Sequence, residues 1–208
     1  MRKPGRRTPN PSRVSVFEVR LQCEAAPEIG CGLKAKPLLQ DLERLPGIEQ
    51  AWLNRTGNRL AIVKVAQFDE AGDESLGEVS RKHRIALRPL GSDVPMAVDH
   101  LADSSLWYRA DDVDQLSSEE ARVIAMRLVK RLRHRVQLND SQEKKLVRSM
   151  EVACANQLIR NPTQSAVDRK RRIAQAVLKV ANEHLKGAEL AVFAEVAQRG
   201  HRPLPGEQ

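Results

Sequence analysis

The sequence predicts an α+β protein, with a small antiparallel sheet and two helices in its first half and helices alone in its second. Aromatic residues make up 3% of the 208 residues, so the core must be built mainly from aliphatic side chains. Such a composition suits helices, or a small sheet covered by helices. Short, β-branched apolar segments separated by turn formers occupy residues 14–90, whereas from Ser117 onward the apolar residues recur at helical spacing.

Residues 14–90 contain four predicted strands and two predicted helices. The strands are predicted at residues 14–21, 48–54, 59–66 and 85–90, and the helices at residues 37–45 and 68–84. Pro37 fits the first turn of a helix, where its missing N–H costs nothing, and Pro46-Gly47 ends that helix. The turn RTGN joins the second and third strands as a hairpin. This order of elements is that of the split βαβ, or ferredoxin-like, arrangement.

The second half is predicted to be an all-α domain of three helices. Ser117 with Glu120 forms a capping box for the first helix, and Asn139 or Asp140 can cap the second. The third helix is predicted from about residue 163 to about residue 199. Short loops between long helices indicate antiparallel neighbours in a hairpin-like bundle.

Charge and composition divide the chain into five predicted parts. They are a flexible basic tail at 1–13, the ferredoxin-like domain at 14–90, a linker at 91–115, the helical domain at 116–200 and a tail at 201–208. The helical domain and its tail carry 18 Lys and Arg against 10 Asp and Glu, whereas residues 14–115 carry 12 against 17. This asymmetry of charge between the two regions indicates two domains with different partners, or two that attract each other.

In the linker we expect a short helix near residues 94–101, and we expect the pair Trp107-Tyr108 to dock the linker onto a domain.

CGLKAKPLLQDLERLPGI, from Cys31 to Ile48, and the strand ending in WLN resemble the heavy-metal-associated domain, a small carrier of soft metals with a ferredoxin-like fold. The resemblance covers residues 14–90 and implies a cysteine pair ahead of the first helix. Counting back from Ile48, Cys31 takes the place of the family's first metal cysteine, and Lys34 takes the place of the second. An ammonium group repels a cation, although it can favour the thiolate of Cys31.

Cys23 is the one other thiol that could complete a site with Cys31. Two thiolates suit copper(I) or mercury, and zinc is a further candidate. The alternatives left open are a displaced Cys23–Cys31 metal site, a thiol redox pair, and a domain that has kept the scaffold and lost the site. Because Pro37 is expected to delay the helix, Cys31 is expected in the loop. Cys154 lies on an apolar helical face and is expected to be a buried structural residue.

A shorter motif, LNDSQEKKL at residues 138–146, is similar to the Leu-Thr-x-x-Gln motif of Spy-like chaperones and heavy-metal sensors. In that family the motif joins two helices of a hairpin, which is also its predicted place here. Asn139 stands where the family has Thr, and Gln142 is retained.

Basic residues of the helical domain are the candidates for contact with nucleic acid or an acidic protein. They are Arg127, Lys130, Arg131, Arg135, Arg169, Lys170, Arg171 and Arg172. Phosphate binding by such side chains is electrostatic and sensitive to salt. The aromatic side chains on which single-stranded RNA binders stack bases are nearly absent.

The sequence therefore predicts a non-enzymatic protein, because it contains no Walker loop, nucleophile elbow or dinucleotide fingerprint. Our first hypothesis is a heavy-metal binding or sensing protein with a helical transmission domain. The alternative is a module that binds nucleic acid or an acidic protein, in which the ferredoxin-like domain is structural. No apolar run is long enough for a membrane span, and an odd number of cysteines argues against a disulfide framework, so a cytoplasmic location is expected.

Overall fold

The computed structural model folds into two compact units, which are treated separately below. The first comprises Met1–Cys23 and Pro27–Leu116, and the second comprises Glu24–Ala26 and Ser117–Gln208. The structure describes residues 9–65, 70–91, 94–101, 103, 105–160 and 165–207. Most of the predicted basic tail therefore lies outside the described residues. At its end, Pro11–Arg13 forms a 3₁₀ turn, and Arg13 pairs with Glu49.

The first unit is built on one antiparallel five-stranded sheet. Its strands are β1 (Val14–Glu18), β2 (Ile48–Asn54), β3 (Arg59–Lys64), β4 (Arg88–Pro89) and β5 (Trp107–Tyr108), in the order β4-β1-β3-β2-β5. The α+β class and the first four strands agree with the sequence prediction, although β4 is shorter than predicted. In the predicted linker, the short helix near residues 94–101 and the docking of Trp107-Tyr108 onto a domain agree with the structure, but the two residues dock by pairing with β2 as an edge strand, which was not predicted. Both side chains are buried, and their apolar area explains why this segment packs on the sheet.

Helices cover both faces of this sheet. They are α1 (Gly32–Glu43), α2 (Glu70–His83) and α3 (Val94–Leu101). On one face Leu38, Leu42 and Leu76 belong to a cluster of buried aliphatic residues with Leu53 and Ile62 of the sheet. On the other face, Val98 and Leu101 of α3 pack with Val16, Trp52 and Trp107. The aliphatic core that the composition required is therefore split into two layers.

The start of α1 differs from the prediction. The helix begins at Gly32, with Cys31 as its N-cap residue, and Pro37 lies inside it. The first turn is already closed by the hydrogen bond from the N–H of Ala35 to the carbonyl of Cys31, at 3.0 Å. Pro37 removes one donor from the helix without ending it, so the expectation that Pro37 delays the helix was wrong. Cys31 itself is extended and lies directly ahead of the first turn, outside the helix, as expected.

Two glycines bring the β2–β3 turn against the chain that follows β1. The N–H of Gly30 donates to the carbonyl of Arg55 at 2.7 Å, and the N–H of Leu21 donates to the carbonyl of Gly57 at 2.9 Å. A Cβ on Gly57 would lie 2.6 Å from the Cα of Gly30, and Gly57 has a φ of +71°. Only glycine meets both requirements, that of space and that of conformation.

The second unit consists of helices in its described part. They are α4 (Asp114–Arg133), α5 (Asp140–Ala155) with a π-helical turn at Asn156–Arg160, α6 (Ala166–His184) and α7 (Gly187–Arg199). The Asn139 cap of α5 is confirmed, and it forms a capping box with Gln142, with N–O distances of 2.9 and 3.1 Å. This local role accounts for Asn139 and Gln142, the two residues compared with the Leu-Thr-x-x-Gln motif, without any function. None of the described helices combines the length and apolar character that crossing a bilayer requires.

Two predicted helix boundaries were wrong. α4 begins at Asp114, so Ser117 and Glu120 are buried inside the helix instead of capping it. The predicted third helix is two helices, because the chain is extended at Leu185 and Lys186 before α7 begins at Gly187. Gly187 has a φ of +48°, a conformation that no α-helix interior contains.

We expect the Gly57→Ala variant to lose at least about 2 kcal/mol of folding free energy, because the new methyl group meets the Gly30 backbone in a left-handed conformation. Gly77→Ala is the matched control, since Gly77 lies in α2 and a Cβ there has no neighbour within 4 Å. The control should gain about 0.5–1 kcal/mol. Urea denaturation followed by circular dichroism measures both. A Gly57→Ala variant as stable as the native protein would contradict the close approach.

Candidate functional site

Cys23 and Cys31 lie in a short antiparallel ribbon between β1 and α1. Gln22 and Gly30 form its bridge. The N–H of Cys23 donates to the carbonyl of Ile29 at 2.9 Å, and the N–H of Cys31 donates to that of Leu21 at 2.6 Å. This register sets Cys23 opposite Ile29 and Cys31 opposite Leu21. The two cysteines therefore occupy diagonal positions on one side of the ribbon.

Neither thiol is part of a disulfide, and both residues are buried, with exposed fractions of 2% for Cys23 and 6% for Cys31. Diagonal residues have Cα atoms about 7–8 Å apart, which is longer than a disulfide spans, so the ribbon is poorly suited to the redox pair. Lys34 is half-buried in the first turn of α1. Within the described residues, no group of three or more His, Cys, Asp and Glu side chains could hold a metal ion. The arrangement would thus suit a two-coordinate soft ion and lacks the ligands of a tetrahedral zinc site.

Cys154 is a buried residue of α5, as the sequence predicts. Burial, with a smaller contribution from the carboxylate of Glu120, raises the pKa of its thiol to about 12. A thiol with this pKa stays protonated at neutral pH, so Cys154 neither attacks nor ligates readily. Its role is to fill the helical core.

The basic residues of α4 are not all accessible for the contact with nucleic acid or an acidic protein that the sequence predicts. Arg131 is buried, with 8% of its surface exposed. Its Nε and Nη2 atoms donate to the two carboxylate oxygens of Glu207, at 2.8 and 2.6 Å. Nη1 donates to the carbonyl of Gly200 at 2.5 Å, and Nη2 also donates to that of Arg202 at 2.6 Å. Assigning Arg131 to a nucleic-acid or acidic-protein contact was therefore wrong, because its guanidinium is buried and donates its hydrogen bonds to acceptors inside the unit.

Arg127 and Arg135 also make contacts within the helical unit. Arg127 is half-buried, and its Nη1 donates to the carbonyl oxygens of Ala25 at 2.7 Å and His201 at 2.9 Å. Arg135 is exposed and pairs with Glu195 at 2.6 Å. Of the four α4 candidates, Lys130 is the one that is exposed and for which the described residues show no ion pair.

The basic residues at the start of α6 are more accessible. Lys170, Arg171 and Arg172 are exposed, and Arg169 is half-buried. Arg171 pairs with Asp168 of the same helix at 2.9 Å. This part of the sequence prediction agrees with the exposure of the side chains, although exposure alone does not identify a partner.

The sequence prediction missed a second basic surface, on α5. Lys144, Lys145 and Arg148, which we call the outer α5 stripe, are all exposed, while Leu146 and Met150 of the same helix are buried. Among the described residues, the stripe shows no ion pair. A projection of α5 onto its two faces would have found it, since these residues recur at the spacing of one helical turn opposite the apolar ones.

The predicted tail at 201–208 is packed in its described part. His201 is buried, and Glu207 holds the guanidinium of Arg131. The hydrogen bonds from Arg131 are the main reason why the pKa of Glu207 is lowered to about 2. A carboxylate with this pKa is ionised at neutral pH, where the pair holds this segment onto α4.

We expect Arg131→Ala to lower the free energy of unfolding by about 3–5 kcal/mol, because it removes the hydrogen bonds that Arg131 donates to Glu207 and to two carbonyl groups. Arg133→Ala is the control, since Arg133 also pairs with a glutamate, Glu143, but its side chain is 60% exposed. The control should lose less than about 1 kcal/mol. Equal losses in urea denaturation would show that Arg131 is not the anchor of this segment.

Comparison with protein-family models, with curated proteins and with solved structures found no match to this chain. Its functional assignment therefore depends on its own residues, namely the cysteine ribbon of the first unit and the basic surfaces of the second.

Proposed function

We propose that this chain is a non-enzymatic binding protein whose helical unit binds the phosphate backbone of double-stranded nucleic acid. The single observation that carries the proposal is the outer α5 stripe, whose three cations are exposed and have no ion pair among the described residues. Exposed cations on two other helices, Lys170 and Arg172 of α6 and Lys130 of α4, add to the positive surface charge of the helical unit. Side chains of this kind bind phosphates by releasing condensed counterions, without reading sequence.

The apolar residues at the surface favour nucleic acid over an acidic protein. A stable interface between proteins has a largely apolar core, often with aromatic residues. In the helical unit the exposed large apolar residues are, among those described, Met126, Val152 and Val167, one on each of three helices. Scattered residues of this kind provide no apolar core for a protein partner, whereas phosphate binding does not need one.

The burial of the aromatic residues favours a duplex over a single strand. Single-strand binders stack bases on exposed aromatic rings. The described aromatic residues, Phe17, Trp52, Trp107, Tyr108 and Phe193, are all buried. The binding expected is therefore to the backbone, with little preference between sequences.

The test is the salt dependence of binding to a short labelled DNA duplex of arbitrary sequence, measured by fluorescence anisotropy on the full chain. We expect the Lys144→Ala, Lys145→Ala, Arg148→Ala variant to bind more weakly and to lower the slope of log K against log salt by about 3. The control is Arg20→Ala, Arg81→Ala, Arg88→Ala, which removes the same charge from exposed residues of the first unit. The control should keep the native slope.

Two results would contradict this proposal. Equal slopes for the native chain and the α5 variant would remove the stripe as the contact. Equal, stripe-dependent binding of polyglutamate would instead assign the surface to an acidic protein.

We also propose that the first unit binds one soft metal ion between Cys23 and Cys31. The position of the two cysteines on one side of the ribbon, ahead of α1, favours such a site. The strand order β4-β1-β3-β2 within the sheet is compatible with the ferredoxin-like arrangement that the resemblance to heavy-metal-associated domains implies. Such an ion would take two thiolates as its ligands, and copper(I) or mercury(II) would accept that number.

Titration with copper(I) against a colorimetric chelator tests the metal proposal. We expect one ion per chain for the native protein and for Cys154→Ser, because Cys154 is buried in the core of the second unit with a protonated thiol. The Cys23→Ser, Cys31→Ser variant should leave all of the copper with the chelator. Retention of copper by that variant would contradict the site, and so would a native chain that takes none.

A further inference from the structure

Five cationic side chains surround the segment Gly200–Arg202 of the helical unit. They come from α4, from α6 and from the segment itself, and they are Arg127, Arg131, Arg169, Lys170 and Arg202. Arg127 and Arg131 donate to the carbonyl oxygens of His201 and Gly200, at 2.9 and 2.5 Å. Lys170 lies against Gly200, where an added Cβ would be 2.9 Å from its Cε and 3.5 Å from its Nζ.

The buried imidazole of His201 lies within the field of four of these cations. Burial is the largest reason why the pKa of His201 is lowered to about 4, and Arg169, Arg202, Lys170 and Arg127 lower it further. Each of them disfavours a positive charge on the ring. Positive charges carried by α4, by α6 and by the segment Gly200–Arg202 therefore all act on the imidazole of His201.

Carboxylates balance part of this charge. Glu207 pairs with Arg131, and Glu24 pairs with Arg202. Both pairs hold the segment, and within the part of the chain that the structure describes the cluster keeps an excess of positive charge, because its five cations have these two carboxylates as ion-pair partners. Arg169 and Lys170 also lie near the N-terminus of α6, the end at which the helix dipole disfavours cations. Gathering like charges in this way costs folding free energy unless an anion offsets it.

We propose that Arg169, Lys170 and Arg202 form a binding site for a phosphate group at the segment Gly200–Arg202. The guanidinium groups can donate paired hydrogen bonds to phosphate oxygens, and the ammonium group supplies a point charge. Arg131 has a positioning role, because its hydrogen bonds to the carbonyls of Gly200 and Arg202 fix the backbone of the site. The site is separate from the outer α5 stripe, so either assignment can fail without the other.

The ring of His201 provides the readout, because an anion bound among these cations favours its protonated form. In the full chain we expect inorganic pyrophosphate, which remains multiply charged in acid, to raise the pKa of His201 by about one unit or more, as followed by NMR of the imidazole. His201→Gln assigns the signal. Sodium chloride at the same ionic strength is the control for screening.

Two matched variants locate the site. In Arg169→Ala, Lys170→Ala the pKa of His201 should already be higher without any ligand, and pyrophosphate should add no further shift. Lys144→Ala, Lys145→Ala removes the same charge from α5 and should respond like the native chain. If the first variant does not fold, Lys170→Gln replaces it, since Lys170 is exposed and that change should reduce the shift.

Measurements with two ligands, pyrophosphate and a DNA duplex, distinguish the sources from which the bound phosphate group could come. A shift with pyrophosphate alone identifies a site for a small phosphate compound. A shift with a DNA duplex but not with pyrophosphate identifies a backbone phosphate. The proposal is overturned if neither ligand moves the pKa of His201, or if the Arg169→Ala, Lys170→Ala variant responds as the native chain does.

Discussion

The buried guanidinium of Arg131 is the constraint on which the helical unit depends. A buried arginine is stable only when each of its donors finds an acceptor, and this one finds the carboxylate of Glu207 and two backbone carbonyls. Those acceptors belong to the chain that follows α7. Burial of one α4 side chain thereby fixes the C-terminal segment, and with it the place where His201, Arg202 and Lys170 meet.

The helical unit contains two kinds of cation, those whose hydrogen bonds hold the fold together and those exposed to solvent, although the sequence shows only that the domain is basic. Arg131 and Arg127 are engaged with carbonyls or a carboxylate, so they serve the fold. Lys144, Lys145 and Arg148 stand in solvent, where they add little to stability. Their mutual repulsion costs little free energy in water, and in the function that we propose they attract an anion. Net charge alone does not distinguish the two kinds, because both contribute equally to it.

The sequence predicted features that depend on neighbouring residues along the chain and missed those that depend on distant ones. The Asn139 cap of α5 and the hairpin around Gly57 follow from local chemistry, and both were predicted, whereas the box formed by Asn139 with Gln142 was not and the one expected of Ser117 with Glu120 was wrong. β5 was missed because Trp107 pairs with Asn54, far away in sequence. Arg131 was assigned to the surface for the same reason: at its helical position it is polar, and its acceptors lie some seventy residues further on. The diagonal register of Cys23 and Cys31 likewise follows from backbone pairing that no cysteine spacing reveals.

That register also determines how a metal could enter. The ribbon is held by backbone hydrogen bonds, within itself and to the β2–β3 turn through Gly57 and Arg55, and its thiols are nearly covered. Access to them requires the ribbon to move, and the close contact of Gly30 with Gly57 resists such movement. A site of this kind would exchange its ion slowly, unlike the exposed loop of a carrier that hands metal to a partner. If the first unit binds copper, its geometry favours retention or sensing over delivery.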